Sequence, residues 1–195
     1  PQPTITIPAA ATTVAALFRT TPPPGGPFTY NVGPGQTYTS LAQVPWTGLF
    51  PGDTVRLHWR ATPYAEKVLI PARGTAAAPI RFIGVPGPAG QRPVISGLNA
   101  TLAPNSGFAS WDISHQLGLI TIARAETDSQ FFKPGFIEIR GLELRDIAAT
   151  ADVWFEGAAA IRLDAADSVT VRDCDIHSVC TGLSARLNGS TEFGL

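Results

Sequence analysis

The chain alternates apolar and polar residues in short runs, and two of these runs are the same pattern written twice. Ile137-Glu-Ile-Arg-Gly-Leu-Glu-Leu-Arg-Asp-Ile147 aligns with Val169-Thr-Val-Arg-Asp-Cys-Asp-Ile-His-Ser-Val179 at a constant offset. The apolar pairs are Ile137/Val169, Ile139/Val171, Leu142/Cys174, Leu144/Ile176 and Ile147/Val179. Between them fall Glu138/Thr170, Arg140/Arg172, Glu143/Asp175 and Arg145/His177. Period-two alternation predicts strands with one buried face. The phase is expected to break once, at Gly141/Asp173, so each copy reads as strand, bend, strand. Units that cannot bury their own apolar face must stack on neighbours. The expected fold is therefore all-β, a parallel β-helix, with outward polar rows crossing the stacked strands.

Other runs extend the pattern. Phe28–Val32, Thr54–Trp59, Ile80–Ile83, Pro93–Ile95, Leu119–Ile122, Ala160–Leu163 and Gly182–Leu187 read as further strands. Val55, Leu57 and Trp59 are expected on one face. Gly- and Pro-bearing turns separate them, such as Pro51-Gly-Asp53 and Val85-Pro-Gly-Pro-Ala-Gly90. Ser40 to Leu49 reads as a short amphipathic element, a turn or two long because of Pro45, that caps the open N-terminal end of the stack. Residues 1–27, rich in Pro, Thr and Ala, read as an arm or linker. Residues 28–195 read as the β-helix, incomplete at its C-terminal end, where no polar cap follows Leu187.

Composition narrows the function classes. A formal net charge of −1, with 15% charged residues, lacks the basic excess of a nucleic-acid binder. No apolar run is long enough to span a membrane. The chain has no Met, which a processed secretory leader or a truncation would each explain. Cys174 falls in an inward slot, and Cys180 should diverge from it, which argues against a mutual disulfide.

Pro51-Gly-Asp-Thr-Val55, Tyr64-x-Glu-Lys-Val68, Gly74-Thr-x-x-x-Pro-Ile80 and Pro93-Val-Ile-Ser-Gly97 follow in order. This succession resembles the N-terminal rungs of secreted right-handed parallel β-helix proteins of the pectate-lyase-like superfamily, including chondroitinase B-like polysaccharide lyases. The resemblance covers roughly residues 30 to 185 and rests on turn and core positions, so it speaks to fold more than to activity. It implies a secreted or cell-surface protein that binds or degrades a polysaccharide.

Lyases of that kind abstract the proton next to a uronate carboxylate, which a cation, often Ca²⁺, neutralises. By that resemblance Glu143, Asp175 and Asp173 would supply metal oxygens. Arg172, His177 and Arg145 would supply positive charge or proton transfer. Arg140, with Trp111 and Trp154 on the irregular segments, would contact sugar. The bland reading of the same residues is a solvated ladder of mixed charge, with the aromatics folded back on the flank. A second function class also fits: a non-catalytic solenoid serving as an adhesin, fibre subunit or assembly component, pairing with itself through its open edge. A trimeric tail-spike-like protein is a third.

Overall fold

The computed structural model describes residues 25–102, 107, 118–147 and 158–186. The strands are β1 Thr29–Val32, β2 Thr54–His58, β3 Glu66–Leu69, β4 Ile80–Val85 and β5 Val94–Ser96. They continue with β6 Thr101–Leu102, β7 Gly118–Ile122, β8 Gly135–Arg140 and β9 Glu143–Ile147. The last are β10 Ala159–Asp164, β11 Asp167–Arg172, β12 Asp175–Val179 and β13 Thr181–Arg186.

All pairing among these strands is parallel, in three sheets ordered β1-β2-β4-β8-β11, β12-β9-β5 and β13-β10-β7-β3-β6. From β8 onward the chain visits the three sheets in strict rotation. β8, β9 and β10 give one strand to each, and β11, β12 and β13 repeat the order. Parallel neighbours need long connections, and here the other two sheets supply them.

The two aligned segments pair as expected. Ile137 lies beside Val169, Ile139 beside Val171 and Arg140 beside Arg172. Glu143 lies beside Asp175, Leu144 beside Ile176, and Arg145 beside His177. Val55, Phe82, Ile139 and Val171 form one inward row across the first sheet. Ile95, Leu144 and Ile176 form another in the second sheet. Val68, Ile120 and Ile161 form the third. These rows meet in one apolar core.

The bends differ from the expectation in number. Gly141 and Asp173 are both left-handed, at φ 71° and 53°. A second matched pair, Asp146 and Ser178, is left-handed at 59° and 52°, and a third, Phe136 and Ser168, at 50° and 51°. The phase therefore breaks again inside β9 and β12. That second break lets Ile147 turn inward three residues after Leu144, where strict alternation would place it outward.

Trp59 is a further correction. It follows the end of β2, is only half-buried, and lies beside Gly87 outside the core. Tyr64 takes a core position instead, fully buried, its hydroxyl donating to the His58 carbonyl at 2.7 Å.

The Ser40–Leu49 element forms two single-turn 3-10 helices, Leu41–Gln43 and Trp46–Gly48. Ser40 and Gln43 make a capping box at the first. Leu41, Val44, Trp46 and Leu49 are all buried in the core, and Trp46 meets Phe82 edge-on at 5.2 Å. The Pro51-Gly-Asp53 turn is fixed by the buried Asp53 carboxylate, which accepts from the Phe28 and Phe50 amides at 2.7 and 2.9 Å.

Candidate functional site

Two polar constellations stand on the outer surface, one on each side of the Gly141/Asp173 bend. The first is centred on Glu138 of β8. Parallel register sets Arg81 of β4 and Thr170 of β11 on either side of it. One residue pair further along, Arg140 stands beside Arg172. The Arg172 Nε and Nη2 both approach Glu138 Oε1, at 2.9 and 2.6 Å. Arg140 Nε lies 3.3 Å from the same oxygen, and Arg81 Nε lies 3.4 Å from Oε2. One carboxylate thus serves three guanidiniums. The hydrogen bond from Arg172 to Glu138 raises the guanidinium's pKa further above its ordinary value. Arg172 also holds the Asp173 carboxylate at 2.9 Å. Arg56 is exposed in the same row as Arg140, two strands away. The face keeps a positive excess.

A shallow groove of about 490 Å³ runs beside this cluster, lined by Thr75, Pro79, Phe136, Glu138, Thr170 and Arg172. A second, of about 470 Å³, holds Phe131, Lys133, Arg73 and Asp167. Arg73 adjoins both. Its guanidinium lies 5.1 Å from the Phe136 ring centroid, donates to the Lys133 carbonyl at 2.8 Å, and meets Asp167 at 3.1 Å. Phe131 is 81% exposed, the most exposed large apolar side chain among the described residues. Neither Arg81, Arg73 nor Phe131 was singled out by pattern. Arg81 reaches Glu138 only through sheet register, and an exposed Phe on a turn has no periodic signature.

The second constellation lies on β9 and β12. The donor atoms of Glu143, Asp175 and His177 all lie within 4.8 Å of one another. His177 Nε2 is 3.3 Å from Glu143 Oε1, and His177 Nδ1 is 3.2 Å from the Ser178 hydroxyl. Arg145 Nε lies 3.3 Å from Glu143 and 3.5 Å from Asp146. Asp173 does not join this group, because the bend turns it toward Arg172. Ca²⁺ takes six to eight oxygens. Two carboxylates and a ring nitrogen do not fit it.

The structure therefore brings Arg140 and Arg172 together around Glu138, and Arg145 and His177 together around Glu143. Trp111 and Trp154 lie outside the described residues. No helix among the described residues is long and apolar enough to cross a membrane. The chain matches no known protein-family model, no curated protein and no solved structure.

Proposed function

We propose that this chain is a right-handed parallel β-helix of the pectate-lyase-like kind that binds an acidic polysaccharide on its arginine-bearing face, as a secreted or cell-surface protein. The recurring visit of the chain to three parallel sheets supports the coil. Parallel crossovers are right-handed in about 98% of cases, which supports the hand. The observation that carries the binding reading is Glu138 shared by Arg81, Arg140 and Arg172. Guanidiniums in excess over carboxylates recognise planar anions bidentately. The adjoining grooves add what a sugar needs: the Phe136 and Phe131 rings to stack on, and the Thr170 and Ser168 hydroxyls to hydrogen-bond.

The same geometry argues for binding over elimination. A base must lose its proton, and Arg172 is held in its charged form by two carboxylates.

The test is calorimetric titration of the full chain with polyuronates and with a neutral glucan. Binding to the polyuronates that weakens with salt, and weakens again in Arg172→Ala, is expected. Equal affinity for the neutral polymer sinks the reading. Release of unsaturated sugar, followed by its ultraviolet absorbance, would show lyase activity and overturn the preference for binding.

A second reading, assembly through a strand edge, has its own support. Among the described residues, β11, β12 and β13 each end their sheet. Their inward residues Val169, Val171, Ile176 and Val179 are only half-buried, and Leu183 is 49% exposed. Unpaired edges above apolar residues favour strand addition. Sedimentation that shows one monomeric species at all concentrations removes this reading.

A further inference from the structure

We propose that Glu143, Asp175 and His177 form a three-donor site for a transition-metal cation of the Zn²⁺ class, with a fourth position open to water or a ligand oxygen. The inference stands apart from polysaccharide binding, since it uses a different sheet and different residues.

Register builds the site. Glu143 and Asp175 are direct neighbours in the parallel pair β9–β12, and His177 follows Asp175 by two residues on the same outer face. Side chains at i and i+2 of a strand share a face, so all three converge without any loop to order. The separation suits the ion. A Zn²⁺ about 2.0–2.1 Å from each of two donors in tetrahedral geometry holds them about 3.3–3.4 Å apart. Glu143 Oε1 and His177 Nε2 are 3.3 Å apart. Asp175 is exposed at the end of a short side chain and can close the remaining gap by rotation.

The second ring nitrogen supports the assignment. With its hydrogen on Nδ1, His177 donates to the Ser178 hydroxyl at 3.2 Å, as the outer nitrogen of a ligating histidine does. Nε2 then faces the Glu143 carboxylate, placing the two donors where one cation would meet both. The backbone at Ser178 is left-handed, at φ 52°. Arg145, which also leans on Glu143, has Asp146 as a second partner and can yield its place.

The donor chemistry selects the ion. Imidazole nitrogen with carboxylate suits Zn²⁺ and its neighbours, whereas Ca²⁺ and Mg²⁺ prefer oxygen alone.

The experiment titrates the full chain, under reducing conditions, with Zn²⁺ alone and with Ca²⁺ alone by isothermal calorimetry. Expected is a Zn²⁺ isotherm that Ca²⁺ does not compete away. His177→Ala and Asp175→Asn should each weaken it by at least the roughly 10–100-fold seen when even outer-shell partners are lost. His58→Ala, far from the site, should leave it unchanged. Asp175 and His177 are exposed and His58 is half-buried, and circular dichroism checks each variant's fold. Unchanged Zn²⁺ affinity in His177→Ala overturns the proposal, as does absence of Zn²⁺ binding by the native chain. Equal competition by Ca²⁺ overturns the selectivity on which the donor argument rests.

Discussion

Glu138 on β8 is gripped by Arg172 from the neighbouring strand β11 through two nitrogens at one oxygen, Oε1. The pair is exposed on the arginine side, so its direct worth to folding is small. Its consequence is electrostatic. Glu138→Gln removes the one carboxylate shared by three guanidiniums. We expect this variant to bind polyuronate more tightly than the native chain, with a steeper salt dependence, and to unfold at nearly the same urea midpoint. Titrations at two ionic strengths check it.

Gly84 on β4 and Gly141 at the bend pack backbone against backbone. A Cβ on Gly84 would run into the Gly141 carbonyl. Neither strand can shift without breaking its ladder. Gly84→Ala should cost about 3 kcal/mol, the upper end for overpacking. Asp173, the bend residue of the next copy, has the opposite expectation. Asp173→Gly relieves a left-handed non-glycine residue and should be neutral or stabilising by up to about 1 kcal/mol. Urea unfolding of both variants gives the signs.

Asp53→Ala should destabilise by about 2–4 kcal/mol. It leaves the Phe28 and Phe50 amides without their acceptor in a part-buried turn, and each orphaned buried donor costs about 1–3 kcal/mol. Asp53→Asn should cost less, since one amide oxygen remains to accept. Thermal unfolding of the two variants ranks them.

His58 gives a pH signature. Desolvation first, and then the nearby Arg56 charge, hold its pKa below the ordinary 6.5. The unfolded chain therefore binds this proton more readily than the folded one. Stability from this group is complete above about pH 7 and declines as pH falls through the ordinary histidine range, levelling off below the folded pKa. In the native chain Nε2 lies 3.1 Å from the Asn31 amide oxygen. His58→Gln should flatten the decline in urea midpoint between pH 7.5 and about 5.5. An unchanged slope would count against the assignment.

The two cysteines are free and unequal. Cys174 packs half-buried against the core, and burial pushes its thiol pKa up. Cys180 is exposed. A limiting alkylating reagent at neutral pH should label Cys180 first and Cys174 slowly, since the thiolate is the reactive form. Peptide mapping reads the order directly.

The sequence alone determined which residues of the two aligned segments lie beside one another. A strand's period of two restricts the possible registers, and the coincidence of apolar residues from Ile137/Val169 to Ile147/Val179 leaves one that buries every inward side chain. The inward rows, the Gly141/Asp173 bend and the pairing of Glu143 with Asp175 follow from that. Tertiary structure decided the rest. The left-handed positions at Phe136/Ser168 and Asp146/Ser178 carry no glycine to announce them, so only the closed path of the chain reveals them. The side-chain partners are likewise set in three dimensions: Asp173, at the bend it shares in register with Gly141, goes to Arg172, and His177 goes to Glu143. Arg81 joins Glu138 because β4 and β8 are neighbours despite the β5, β6 and β7 strands between them in the chain. Local pattern encodes the face a residue occupies, but stacking across distant strands chooses the partner it meets there.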